Sequence, residues 1–468
     1  MKSLSRFAAT RGAWAAAALL LLLPGGLLAQ QTPARAPASS PLTLSQAVRI
    51  ALEKNPARKI ALADTRAASA NVREARSHLL PRVTFSETVT RSNDPVYVFG
   101  SKLRQRGFTA ADFDLNTLNA PAPFGNFSSR FGGTWTLFDS LSTWRTIHRS
   151  ERTQDAMQHQ LDRTDQEIVF RVVDSYYGVL LARKQLEVAE QALKTAQAIL
   201  DRSRNRVESG VVVESDALSA QVRLAARKQE LIRAQDNLSL SLAQLGTAMG
   251  LATENNFDPA EVLAERNFPL IALPEAEKVA VESRPDLKRI RSDEAAQAQS
   301  VAIAKSSFGP RVNAFADWEA DNPSFVGGGG GNNWLAGIEV QFDLFQGGAK
   351  RAALTHEQAI QEKVAAMKEA ATDAVRMEVR RAYYDVDASR QQVEVARASI
   401  AQAQESLRIN QDRYDSGLSN ITDLLAAEEA ARRSQTDYWE AVYRYHVGYA
   451  NLELADGTLN PKSPVVTP

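Results

Sequence analysis

The chain has 468 residues, 44% hydrophobic and 24% charged, with 55 basic residues balanced by 55 acidic ones. Neutral balance argues against a nucleic-acid partner, and the lack of any cysteine excludes disulfides and a lipid-modified cysteine. Length alone allows two or three domains.

In chain order, Lys2, Arg6 and Arg11 precede the apolar run AWAAAALLLLLPGGLLAQ. A basic start, a hydrophobic stretch and a small residue at the cut predict a secretory signal over residues 1–29. An uncleaved anchor is the alternative, but Pro24, Gly25 and Gly26 break the run short of the roughly 20 residues of a span. Losing the signal removes three basic residues and no acidic one, leaving a charge of −3. Residues 30–41 read as a flexible linker. No later apolar run reaches the length of a membrane helix, so any bilayer crossing must be built from strands.

From residue 42 onward the chain is written twice. LEKNPARKIALA near residue 52 answers to VESRPDLKRIRS near 281, and LLPRVTF answers to SFGPRVNAF, both at an offset of 229. From WTLFDS onward the offset is 207: Tyr176-Tyr177 matches Tyr383-Tyr384, Gly210 matches Gly417, and Asp216 matches Asp423. Repeat 1 covers 42–250 and repeat 2 covers 273–457, joined by 251–272, and 458–468 reads as a flexible tail. The difference in offset predicts a longer insertion in the first copy, between Val83 and Leu137.

Each copy begins with helical sequence and then a pair of short alternating segments, at about 82–92 and 130–138 in the first and 311–320 and 334–344 in the second. In WLAGIEVQFDL, Trp334, Ala336, Ile338, Val340, Phe342 and Leu344 share one face, opposite Glu339, Gln341 and Asp343. In PRVTFSETVT, Val83, Phe85 and Val89 oppose Thr84, Ser86, Thr88 and Thr90. RFGGTWTLF, with Trp135 and Leu137, and RVNAFADWE are weaker versions. Such strands suit either a soluble hairpin with one buried face or a tilted bilayer strand with an apolar outside. The number of strands decides between them if the protein spans lipid. Four cannot close, and open edges are not tolerated there, so several chains must each donate four. The loops at 93–130 and 321–333 are rich in Gly, Pro, Asn and Ser, as outward-facing loops tend to be.

After each strand pair comes a long helix, about 141–208 and 348–415. Val172, Val179, Leu186, Leu193, Leu200 and Val207 fall seven apart, as do Val379, Val386, Val393, Ile400, Leu407 and Tyr414. That period is about 3.5 residues per turn, a supercoiled helix packed along a narrow seam. Each rod is roughly 100 Å long and cannot bury itself within one chain. Gly210 and Gly417 supply left-handed C-caps. Hairpin tips follow at 209–215 and 416–422, where Ser215 on one side and Asn420 or Thr422 on the other can cap the returning helix. Asp216 and Asp423 fall in its first turn, suiting the helix dipole. Segment 57–79 and return helix 214–249, about 59 residues stacked end to end, would match one long rod.

The doubled helix–strand–strand–helix unit, the LFD and LFQGG re-entries into helix and the Gly-x5-Asp tips resemble the TolC-like outer membrane efflux proteins over about residues 42–457. The resemblance implies a mostly α fold with a small β part, a homotrimer forming a 12-stranded outer membrane barrel and a 12-helix periplasmic tunnel. It also implies a belt of short helices around the middle. Val83, Phe85, Trp135, Leu137, Ile338, Val340 and Phe342 would then face lipid. Asp423 would form a carboxylate ring narrowing the periplasmic entrance, with Tyr414 linking neighbouring hairpins through Asp216. Gly210, Val211, Gly417 and Leu418 would dock a periplasmic adaptor, itself coupled to an inner-membrane transporter of RND, ABC or MFS type. Ser419 and Ala426 depart from the basic and acidic residues usual at those tip positions, which predicts a weaker latch. The ordinary alternatives are that both aspartates only serve the helix dipole and that the tips are only tight turns.

His78, His148, His159, His356 and His446 show no metal-ligand spacing, and no nucleophile or phosphate-loop motif is present. The expectation is an export duct rather than an enzyme, without metal, cofactor or nucleic acid, located in the outer membrane with most of its mass in the periplasm. A type I protein secretion duct and a non-pore periplasmic coiled-coil scaffold are the alternatives.

Overall fold

The computed structural model describes residues 41–251, 257–325 and 331–467. The expected signal and nearly all of the linker after it lie outside the described residues, as do 252–256 of the inter-repeat segment and 326–330 of the second outward loop.

The duplication is carried through in the elements. Helix α1 (Leu44–Lys54) repeats as α7 (Leu273–Ser283), and α2 (Pro56–Ser77) repeats as α8 (Pro285–Ser306), residue for residue at 229. The rods α5 (Ser142–Glu208) and α9 (Ala349–Asp415) have 67 residues each, and the return helices α6 (Glu214–Ala248) and α10 (Ile421–Ala455) have 35 each, at 207. Proline at the first position of α2 and α8 starts both helices without losing a hydrogen bond. Both rods start from two left-handed residues. In repeat 2 these are Gly347 and Gly348, at no steric cost, whereas repeat 1 places Ser140 and Leu141 there with φ of 58° and 70°.

The return helices meet α2 and α8 end to end. Asn55 donates from Nδ2 to the carbonyl of Ala248 at 2.9 Å, and its repeat counterpart Arg284 donates to Ala455 at 2.9 Å. Gly250 and Gly457 close these joints in the left-handed region. A Cβ there would lie 2.6 Å from the Cα of Asn55 and 2.8 Å from that of Arg284, so only glycine lets the helix ends approach.

The main core lies at mid-length of the rods. Val172, Val173, Tyr176, Val179 and Leu180 of α5 and Val379, Ala382 and Val386 of α9 are buried against α1, α7 and the C-terminal end of α10. The parallel pair β1 (Pro41–Leu42) and β4 (Asp258–Pro259) crosses the same level, and the Tyr176 hydroxyl donates to Leu42 O at 2.8 Å. The C-terminal segment is no flexible tail. Leu459, Val465 and Val466 are buried in this core, and Arg266 donates to the carbonyls of Pro464 and Thr467 at 3.0 Å each. Away from the core, α9 leaves Met367, Met377, Tyr384, Val395 and Ile409 exposed, as expected of a rod lacking neighbours.

The antiparallel sheet runs β2 (Arg82–Ser92), β3 (Phe124–Phe138), β5 (Arg311–Asn322), β6 (Gly331–Gln341). Strand β3 starts six residues earlier than expected. Strand β6 lies three residues earlier, so Phe342 falls just past its end. The insertion between β2 and β3 contains helix α3 (Pro95–Arg104), a 3-10 turn (Ala110–Phe113) and α4 (Leu115–Asn119). Asp94 caps α3 by accepting from Tyr97 N at 2.8 Å, with Pro95 at the first turn.

Candidate functional site

Two regions carry the chemistry: the hairpin tips at one end and the sheet at the other. At the tips both rods end in the same cap. Val211 N donates to Arg206 O and Gly210 N to Val207 O, each at 2.9 Å. Leu418 N donates to Arg413 O at 2.8 Å and Gly417 N to Tyr414 O at 3.0 Å. This is the Schellman pattern, with glycine φ of 69° and 74°. It leaves Val211 and Leu418 projecting as exposed apolar residues at the two tips. Asn420 caps α10 by accepting from Asp423 N at 2.8 Å. Ser215 is not the cap of α6: the N-cap is Val213, which has no side-chain acceptor.

Asp423 lies exposed in the first turn of α10, accepting from Ser419 Oγ at 3.0 Å. Ser419 therefore turns toward Asp423 of its own hairpin. Asp216 occupies the matching turn of α6. Tyr414 is buried between the two hairpins, among Ala196, Ile199, Leu200, Leu224 and Leu424. Its hydroxyl lies 3.2 Å from Ser203 Oγ. The Arg206 guanidinium sits 4.8 Å from its ring centroid and also donates to its carbonyl. Beside it Arg202 pairs with Asp415 at 3.1 Å. Within one copy Tyr414 of α9 thus contacts α5 of the other hairpin through Ser203 and Arg206. The signal for it was the pair of arginines one turn apart just before Gly210.

Above the tips a charged cluster joins the return helices. Arg227 of α6, 1% exposed, forks onto both oxygens of Glu428 at 3.0 and 2.7 Å, and Glu428 is 2% exposed. Glu230, Glu429 and Arg432 surround the pair, and Arg432 holds the Glu429 carboxyl down at about 2 by hydrogen bonding. Nothing in the sequence spacing marks this cluster, since burial of these charges depends on which helix lies across from them.

In the sheet, register sorts every side chain to one of two faces. Phe85 pairs with Phe131, Phe131 with Trp318, and Trp318 with Trp334. Toward the helices, the rows on this face continue as Val83, Gly133, Ala316, Ala336, then Trp135, Ala314, Ile338, then Phe138, Val312, Val340. Val83, Phe85, Trp135, Ile338 and Val340 of the expected lipid-facing set share this apolar face, and all are exposed. Leu137 is displaced from it. A bulge between Thr136 and Phe138 puts Phe138 opposite Val312, leaving Leu137 as the extra residue. The other face carries Thr84, Ser128, Arg130, Asp317, Glu319 and Glu339, with Arg130 on Asp317 at 2.8 Å. Strands β2 and β6 are open edges.

Comparison with known proteins agrees with this geometry. The outer membrane efflux protein family matches residues 47–251 and 278–458, the two halves of the duplication. The outer membrane protein TolC of Escherichia coli is 23% identical over 89% of this chain and 82% of its own. The alkaline protease secretion protein AprF of Pseudomonas aeruginosa is 23% identical over 90% of this chain and 85% of its own. Among solved structures, the CmeC outer membrane channel of Campylobacter jejuni superposes with a TM-score of 0.77 at 17% identity, covering 95% of both chains. This chain belongs to the outer membrane efflux protein family.

Proposed function

We propose that three copies of this chain close a 12-stranded barrel in the outer membrane and a helical tunnel beneath it. The assembly is the exit duct of a tripartite export system, drawing on an inner-membrane transporter through a periplasmic adaptor. The family is one of outer membrane channels rather than enzymes. The observation that carries the trimer is the sheet itself. Four strands with one continuous apolar face and two unpaired edges are unstable in lipid unless other copies complete the ring. The rods α5 and α9 and the stacked pairs α2–α6 and α8–α10 give four staves per copy, twelve per trimer.

In this reading the tips form the gate. Asp423 from three copies rings the entrance and attracts cations, Tyr414 with Ser203 and Arg206 ties the two hairpins of one copy, and Asp216 flanks the aperture. The exposed Val211 and Leu418, lifted by Gly210 and Gly417, are the adaptor's docking points.

Purified protein in planar bilayers tests the gate. Asp423→Ala lowers the cation-to-anion permeability ratio and weakens block by divalent cations. Unchanged selectivity in a conducting trimer removes Asp423 from the pore axis. A monomeric mass in detergent removes the duct altogether.

A further inference from the structure

The insertion that distinguishes the first repeat lies at the sheet's outer end, away from the helices. Helix α3 within it does not project outward. The Arg104 guanidinium lies 3.5 Å from Glu319. Gln105 donates from Nε2 to Asn126 Oδ1 at 2.7 Å, Gly125 O at 3.1 Å and Asn322 O at 3.2 Å. Beneath it Asn126 donates to Asp321 at 2.5 Å, and Val98 and Ser101 of α3 are buried.

Register decides which side of the sheet this is. Glu319 pairs with Arg130, Asp321 with Ser128, and Asn126 with Thr90, all members of the polar face. Gly331 gives an independent reading. It pairs with Asp321, so a side chain there would point to the polar face. A Cβ on Gly331 would come within 1.7 Å of the Arg104 carbonyl oxygen. The C-terminal end of α3 therefore presses on the polar face across β3, β5 and β6.

In a closed barrel the polar face is the lumen. We infer that α3 is a constriction inside the outer mouth, and that three copies size the opening for small molecules. This inference rests on the trimeric duct proposed above. Twelve strands spaced about 4.8 Å apart and tilted about 40° make a ring roughly 24 Å across. A helix with its side chains is about 10 Å thick, so three of them leave little free width. The face of α3 opposite the buried Val98 and Ser101 carries the exposed Val96 and Leu103, an apolar lining that suits amphiphilic small molecules better than a polypeptide. The helix is held to allow release. Among the described residues one oxygen of the buried Asp321 has no hydrogen-bond partner, so lifting α3 regains hydration there. A larger cargo passes only after α3 is displaced.

The chain has no native cysteine, so single reporters are clean. Thr134→Cys puts a thiol on the lumenal face below α3, and Val83→Cys puts one on the lipid face beside it. Intact cells are treated from outside with a small charged methanethiosulfonate or a bulky polymer-linked maleimide. Thr134→Cys is expected to react with the small reagent and not with the bulky one. Adding Arg104→Ala and Gln105→Ala restores the bulky reaction. Val96→Trp, at an exposed site that leaves folding undisturbed, slows even the small one. Val83→Cys stays unreactive to both. Equal bulky labelling of Thr134→Cys with and without the α3 anchors overturns the constriction. Equal small-reagent labelling of Thr134→Cys and Val83→Cys overturns the barrel instead.

Discussion

His446 is 1% exposed, packed 4.6 Å from the Tyr177 ring and 5.1 Å from Phe268. Arg266 and Glu261 line the same cavity of about 200 Å³. Burial, reinforced by the Arg266 charge, pushes His446 down to about 4. An unfolded histidine titrates near 6.5, so the stability linked to neutral His446 is complete above that pH and is lost as pH falls toward 4. Glu453 acts in the opposite sense. Burial raises it to about 7, so its contribution is complete below the ordinary carboxylate range and is lost as pH rises through 7. His446→Leu should therefore flatten the acid limb of the stability profile and leave the Glu453 limb in place. The difference amounts to on the order of 3 kcal/mol across the His446 window. Unfolding midpoints of the solubilised protein across that window check it, and parallel acid limbs for both proteins contradict it. None of this was legible in the sequence. His446 looked like one of five scattered histidines, and the Val465–Val466 pair that packs on its cavity was read as part of a flexible tail.

At the scale of elements, the buried Arg227–Glu428 fork ties α6 of one hairpin to α10 of the other. Removing one partner of such a pair strands a charge, at a cost of about 3–5 kcal/mol, whereas replacing both with apolar residues is close to neutral. Arg227→Met is thus expected to lower the denaturation midpoint sharply and to expose the tips at residues 209–215 and 416–422 to protease. Arg227→Met with Glu428→Leu should recover most of the stability. A single variant as stable as the double would show that the cluster is solvated in the assembly. Helix lengths were readable because period and cap coincide: the seven-residue spacing ends at Gly210 and Gly417, where both rods end. The Arg227 cluster was not, since burial of a charge depends on which helix lies across from it. Helix α3 was missed although Asp94-Pro95 is a sound N-terminal signal, because the Gly, Pro and Asn around it masked ten helical residues.

For the whole molecule, the faces of the sheet fix how deep it sits in the bilayer. The apolar alternation was legible in the sequence. The bulge at Leu137 and the early end of β6 before Phe342 were not, because register is decided between strands and not along one. Once rows are assigned, the aromatic row of Phe85, Phe131, Trp318 and Trp334 is followed outward by Glu87, Ser129, Ala320 and Asn332. Glu87 there accepts from Ser129 Oγ. An aromatic row bordered by a polar one is how a barrel meets the membrane–water interface, so the proposed barrel places the outer boundary of the lipid between these rows. From Trp334 to Val340 the strand covers about 20 Å at 3.3 Å per residue, less in height once tilted. The exposed Phe342, Leu344 and Phe345 beyond it extend the apolar band toward the periplasm. Two substitutions on the same face of the same strand test this depth. Ala336→Lys falls inside the band and should cost about 2–4 kcal/mol in refolding into lipid vesicles, while Asn332→Lys, at the interface, should cost about 0–1 kcal/mol. Costs near zero at both positions would mean that this face does not contact lipid at the depth assigned. A cost for Asn332→Lys as large as that for Ala336→Lys would move the boundary outward, past Glu87.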